Sequence, residues 1–186
     1  MKHNDMEQDI LKILYSEEEI RAKVRELGET IYREYAGQSP LFVCVMKGSL
    51  VFTADLLRAC PLKSELEGIA VSSYHNGTDS SGQVRITWDL KRSIEGKTVI
   101  LVEDILDSGN TLSFLKETFL QRGAKEVRIV TLLDKPARRT KAVAADWVGF
   151  SVPDEFVVGY GLDFAQGYRN LPYIGVLKPE IYQKET

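Results

Sequence analysis

Residues 99–111 read Val-Ile-Leu-Val-Glu-Asp-Ile-Leu-Asp-Ser-Gly-Asn-Thr, and no other stretch limits the fold as strongly. The first four residues are β-favouring and apolar without interruption, the pattern of a parallel strand buried on both faces. The small polar run Asp107-Ser108-Gly109-Asn110-Thr111 then opens a helix that reaches Gln121. A strand, a small-residue turn and a helix N-terminus together form an anion site. Backbone N–H groups point into the turn, the helix dipole favours negative charge, and the Ser108 and Thr111 hydroxyls add donors. Glu103 and Asp104 precede this turn, although carboxylates repel phosphate. They are therefore expected to face ribose hydroxyls, or a divalent cation bridging to a pyrophosphate. A ligand carrying both a sugar and phosphates fits; the plain alternative is a strand end capped by a solvated acidic turn.

The rest of the chain alternates helices and strands. Ser16-Glu17-Glu18-Glu19 is a capping box, and Ile20, Val24, Leu27, Ile31 and Tyr35 follow at helical spacing until Gly37 and Pro40. Leu41–Met46 predicts a short buried strand, Lys47-Gly48-Ser49 a turn, and Leu50–Ala59 a helix. Residues 68–74 predict a strand and residues 84–88 its return. Residues 75–83 hold no apolar side chain and are expected to be a mobile loop, so the pair makes a long hairpin. Gly96 marks a turn and Gly123 ends the central helix; residues 126–133 are a further strand. Residues 147–150 and 156–160 read as short strands split by Pro153, and residues 173–177 as the last strand.

This order predicts an α/β fold, doubly wound around a mainly parallel sheet, as a single domain over residues 1–186. Ligands of such sheets sit beyond the carboxyl ends of the strands. Lys47, Glu103, Asp104, Asp107 and Lys135 all follow strands in this reading. A net charge of −3 argues against a general nucleic-acid binder. Cys44 and Cys60 have no metal-ligand spacing and read as reduced thiols of a cytosolic protein. No apolar run approaches membrane-spanning length and the start is polar, so the expected location is the cytoplasm, with no membrane partner. His3 and His75 are isolated and make no metal site. The pairs Lys91-Arg92 and Arg138-Arg139 read as solvated charges.

Glu103 and Asp104 within apolar flanks, followed by Asp-x-Gly-x-Thr at residues 107–111, resemble the 5-phosphoribosyl-1-diphosphate (PRPP) signature of type I phosphoribosyltransferases. Met46-Lys47-Gly48-Ser49 resembles the short pyrophosphate loop of the family's hypoxanthine-guanine branch, and Ser73-Tyr74 the start of its mobile catalytic loop. Leu133-Asp134-Lys135, and Phe156-Val157-Val158-Gly159-Tyr160-Gly161-Leu162-Asp163 with Arg169 beyond, resemble its purine-binding segments. The resemblance runs from about Pro40 to Leu177.

It implies the family's fold, with a small hood beside the sheet, and transfer of the phosphoribosyl group from PRPP to hypoxanthine and guanine, releasing pyrophosphate. It implies Mg2+ as cofactor, with Glu103, Asp104 and Asp163 engaging it directly or through water. Lys47, Gly48, Ser108, Gly109, Asn110, Thr111 and Arg169 would then hold the phosphates. Asp107 would do acid–base work at purine N7, although an Asp before Ser-Gly is also an ordinary turn-former. Lys135 would donate to the 6-oxo group, selecting oxo over amino bases because an ammonium only donates. Phe156 would stack on the base, with Val157 beside it. A structural ion pair is the competing reading of Asp163 and Arg169. Relatives carry a cis peptide bond corresponding to Met46–Lys47 and assemble as dimers or tetramers, so a cis bond and a homodimer or homotetramer are implied here. Ser49 stands where relatives commonly have a second glycine, and Asn110 where some have a basic residue. A guanine- or xanthine-preferring relative, and an RNA-binding nucleotide sensor on the same fold, are the alternatives. The guanine amine is read by backbone carbonyls around Val157 and Asp163, so residue identities do not rank the two bases.

Overall fold

A computed structural model describes residues 5–74 and 83–183. In chain order the elements are α1 (Asp5–Gln8), β1 (Ile10–Tyr15), α2 (Glu17–Glu34), β2 (Leu41–Met46), α3 (Leu50–Ala59), β3 (Glu65–Tyr74), β4 (Gln83–Trp88) and β5 (Thr98–Leu106). Then follow α4 (Asn110–Gln121), β6 (Glu126–Asp134), a 3-10 turn at Pro136–Arg138, β7 (Trp147–Ser151), β8 (Val157–Val158), β9 (Ile174–Leu177) and α5 (Pro179–Tyr182). The main sheet has six strands in the order β4-β3-β2-β5-β6-β7. All neighbours pair in parallel except the β3–β4 hairpin.

β5 shows why the sheet needs helices on both faces. Ile100 and Val102 point to one side, where Ile20, Val24, Leu27 and Ile31 of α2 and Phe52 and Leu56 of α3 cover them. Val99 and Leu101 point to the other, against Leu112, Leu115 and Phe119 of α4. The alternation of side-chain direction along a strand thus splits one apolar run between two cores. Fully burying each such side chain contributes about 1.5–3 kcal/mol. α2 opens with the expected capping box: the Ser16 hydroxyl accepts from the Glu19 N–H (3.3 Å), and the Glu19 carboxylate accepts from the Ser16 N–H (2.8 Å).

Four expectations need correcting. β5 does not stop at Val102, because parallel pairing with β6 continues through Ile105↔Leu133 and Leu106↔Asp134. Glu103 and Asp104 therefore lie within the strand. β3 starts at Glu65, three residues early, since Leu41↔Glu65 is the first pair of its ladder with β2. The strand expected over residues 156–160 shrinks to Val157–Val158, because Gly159, Tyr160 and Gly161 turn to φ of +98°, +50° and +106°. β8 also leaves the main sheet. It joins β9 and β1 in a second, three-stranded antiparallel sheet, the hood. β1 was not anticipated from the sequence at all. The Met46–Lys47 peptide bond is cis, as the resemblance implied. Cys44 and Cys60 are buried and unbridged. Residues 75–82, which hold most of the expected mobile loop, lie outside the described residues; Ser73 and Tyr74 close β3, paired with Val84 and Gln83.

Candidate active site

The carboxyl ends of β2 and β5 and the turn into α4 enclose a cleft of about 240 Å³, lined by Met46, Gly48, Glu103, Asp104, Asp107, Gly109 and Thr111. The sequence-predicted turn and carboxylates thus converge. Glu103 is buried, and its Oε1 accepts from the Asp104 N–H at 3.2 Å. Burial pushes its carboxyl well above the ordinary range, and the adjacent Asp104 carboxylate pushes it further. Burial raises Asp104 too, against hydrogen bonding with Glu103, the Ile105 N–H at 2.8 Å and the positive charge of Arg169.

Gly48 has no room for a side chain: a Cβ there would lie 1.6 Å from Asp104 Oδ2. Lys47 before it is exposed, and its carbonyl accepts from the Leu50 N–H at 3.2 Å. Ser49 is fully buried; its hydroxyl donates to the Val45 carbonyl (2.7 Å) and so closes the turn back onto β2.

In the 107–111 turn, Asp107 Oδ1 accepts from the Ser108 N–H (2.5 Å) and hydroxyl (3.3 Å). Ser108 Oγ in turn accepts from the Asn110 N–H (3.4 Å). Gly109 takes φ +83° as the N-cap of α4 and supplies no capping side chain. Among the described residues no acceptor faces the N–H groups of Gly109, Thr111 or Leu112, which leaves them for an anion. The turn is held from behind by Arg139, whose guanidinium donates to the carbonyls of Asp107 (2.8 Å), Val143 (2.7 Å) and Leu106 (3.1 Å) and to the Asp134 carboxylate. Thr140 and Lys141 donate their N–H groups to the Ser108 carbonyl. Reading Arg139 as a solvated charge was therefore wrong. It acts on main-chain carbonyls, which leave no trace in residue identities. Its neighbour Arg138 is exposed and pairs with Asp154 at 2.6 Å.

The remaining candidate residues lie at the end of β6 and in the hood. Lys135, half-buried at the end of β6, donates Nζ–H to the Glu155 carbonyl (2.7 Å), which fixes it beside Phe156 and Val157. Burial lowers its ammonium below the ordinary lysine range. Phe156 keeps 37% of its surface exposed, stacks on Tyr182 (4.8 Å between centroids) and meets the edge of Phe164 (5.7 Å). Val157 is buried in β8. Asp163 and Arg169 form an ion pair at 2.7 Å, the competing reading of these two residues. Arg169 also donates to the Gly161 carbonyl (2.7 Å). Among the described residues no three Asp, Glu, His or Cys side chains converge as a metal-binding group, so Asp163 stands apart from the Glu103–Asp104 pair. A larger cavity, about 690 Å³, lies between α2, α3 and the hood; it includes Arg169 but none of the catalytic-edge carboxylates.

Comparison with known proteins places this geometry in context. The profile described as "Phosphoribosyl transferase domain" matches residues 11–165. The chain is 55% identical to the hypoxanthine-guanine phosphoribosyltransferase of Bacillus subtilis (strain 168), covering 96% of this chain and 99% of that protein. It is also 55% identical to the bifunctional protein TilS/HprT of Listeria innocua, over 98% of this chain but only 28% of that longer protein. Among solved structures, a hypoxanthine phosphoribosyltransferase from Staphylococcus aureus superposes with a TM-score of 0.94 at 45% identity, covering 98% of this chain and all of that one.

Proposed function

Because the chain belongs to the phosphoribosyl transferase domain family, we propose that it transfers the 5-phosphoribosyl group of PRPP to hypoxanthine and guanine, forming IMP and GMP with release of pyrophosphate. The observation that carries this reading is the meeting, at the carboxyl ends of neighbouring strands, of an anion-type turn and an oxo-base donor. The unpaired N–H groups at the start of α4 and the buried Glu103–Asp104 pair line the cleft, and at the end of the adjacent strand β6 Lys135 is held beside Phe156 and Val157. An anion cradle, groups suited to a sugar, and a donor beside an exposed aromatic face match a phosphorylated ribose meeting an oxo base.

Each residue then has a task. The α4 N-terminus with Ser108 and Thr111 binds the 5-phosphate. Asp104 and Glu103 accept from the ribose hydroxyls. Phe156 stacks on the purine and Lys135 donates to its 6-oxo group. Asp107, at the rim between the two, exchanges the proton at N7. Lys47, Gly48 and Arg169 receive the pyrophosphate. Displacement at ribose C1 develops oxocarbenium character, as in glycoside chemistry, so a negative carboxylate nearby favours it. The buried Glu103–Asp104 pair offers the hard oxygen donors that suit Mg2+, and these residues would hold it. Such an ion supplies neutralisation of the leaving pyrophosphate. No helix among the described residues is long and apolar enough to cross a membrane; a cytoplasmic homodimer or homotetramer is the proposed state. Initial rates with PRPP and hypoxanthine, guanine, xanthine or adenine test the reading. Turnover of the first two and not of adenine is expected; adenine turnover, or none with any base, overturns it.

A further inference from the structure

The hood loop touches the pyrophosphate loop through backbone alone. A Cβ on Gly161 would lie 2.1 Å from the Gly48 carbonyl oxygen. The Gly161 N–H donates to the Arg169 carbonyl (2.9 Å), and Arg169 returns a bond to the Gly161 carbonyl (2.7 Å). Whatever fixes Gly161 therefore fixes both Arg169 and the roof over Gly48. The residue before it, Tyr160, is 7% exposed and sits at φ +50°, in the left-handed region that non-glycine residues rarely occupy. A conformation of that kind persists where its surroundings hold it. Here the phenol donates to Asp55 Oδ2 at 2.5 Å. Asp55 lies on α3, the helix that follows directly from Lys47-Gly48-Ser49, and it is paired to Arg58 one turn on.

We propose that Tyr160 is a positioning residue for the pyrophosphate end of the cleft, latching the Gly161–Arg169 segment to α3 through Asp55. The latch closes a ring: the pyrophosphate loop leads into α3, α3 holds Tyr160, and Tyr160 seats Gly161 on the pyrophosphate loop. Among the described residues, the side-chain hydrogen bonds of this ring do not reach Lys135, Phe156 or Val157. Loss of the latch therefore loosens the grip on pyrophosphate and PRPP and leaves the base site alone.

The proposal rests on the phosphoribosyl-transfer reading, so its test includes a binding measurement that needs no turnover. Calorimetric titration of the full chain with inorganic pyrophosphate and magnesium is compared for wild type, Tyr160→Phe, Asp55→Ala and Asp55→Asn. Tyr160→Phe and Asp55→Ala should weaken pyrophosphate binding, and raise the PRPP KM, by roughly three- to thirtyfold, which lies inside the span of interaction energies between residues in contact. The hypoxanthine KM should stay within about twofold. Asp55→Asn keeps an acceptor oxygen and should restore most of the affinity. The double variant should be no worse than either single one. Should Tyr160→Phe fail to fold, Asp55→Ala, altered at a partly exposed helix position, carries the test alone. Wild-type pyrophosphate affinity in the folded variants, an equal rise in the hypoxanthine KM, or no pyrophosphate binding by the wild type overturns the latch. Pyrophosphate binding that depends on the latch, in a chain that turns over no base, would refute the activity and keep the latch.

Discussion

The turn between β5 and α4 and the hood loop after β8 are held by different means. The turn extends a strand that has ladder partners on both sides, β2 and β6. Its carbonyls are gripped by Arg139 and by the N–H groups of Thr140 and Lys141. The hood loop extends a strand of two residues. Beside the burial of Tyr160, Leu162 and Leu171, its side-chain bonds to distant parts of the chain are single ones: Tyr160 to Asp55 and Tyr168 to Asp9 (2.7 Å). One such bond contributes about 0.5–1.5 kcal/mol net, so the hood can be loosened one tether at a time while the turn cannot. The difference suits the labour proposed for each. The phosphate cradle must be rigid in advance, whereas the loop proposed to receive and release pyrophosphate gains from yielding.

The largest effect expected lies on the rigid turn. Asp107→Asn should lower kcat by roughly 10²–10⁴-fold with little change in PRPP binding, the usual contribution of a positioned acid–base group. Pre-steady-state rates showing unchanged chemistry would remove Asp107 from the proton path. At the base site, Lys135→Gln should reduce kcat/KM for hypoxanthine by roughly ten- to a hundredfold, as for one charge-assisted hydrogen bond, while the PRPP KM holds. If the PRPP KM rises instead, the division of labour between the sites is misassigned.

Arg139→Ala tests whether the turn is gripped as described. Losing a partly buried guanidinium bonded to several acceptors should cost about 1.5–3 kcal/mol, a fall in Tm of roughly 3–12 °C for a chain of this size. Arg139→Lys should not rescue it, because an ammonium lacks the planar fork. Full rescue by lysine would mean that charge alone matters.

How much of this was legible follows the same division. The apolar run Val99–Val102 with its small-residue turn, the capping box at Ser16 and the helix over Asn110–Gln121 are local patterns, and they fold as such. Glu103 and Asp104 were found as a pair but placed past the strand, because the ladder that carries β5 on to Leu106 is set by β6, not by β5's own residues. The hood was poorly legible. β1 alternates weakly, with Leu11 and Ile13 both left exposed, and β8 is cut short by a run of positive φ. The Tyr160–Asp55 bond spans 105 positions. A single sequence carries no signal for such a tether.

The smallest effect sharpens the comparison through pH. The bond to the Asp9 carboxylate raises the Tyr168 phenol to about 12. From pH 10 to 12 the folded chain keeps a proton that the unfolded chain gives up, so this tether's contribution is full below pH 10 and lost across that window. The Tm difference between wild type and Tyr168→Phe should shrink over that range. Parallel curves would show that the tether does not form in solution.

The stacking of Gly161 on Gly48, and of Gly48 on Asp104, also bears on how this enzyme family can diversify. Where two backbones and a carboxylate meet with no side chain between them, nothing remains to be trimmed and nothing can be added. A substitution library at positions 48 and 161 should return glycine whatever substrate is selected for, since volume, not chemistry, is excluded there. New specificity has to be won at the base site, where Lys135, Phe156 and Val157 present side chains that can be exchanged. On the proposed function, the architecture fixes the donor as a constant and leaves the acceptor base as the variable.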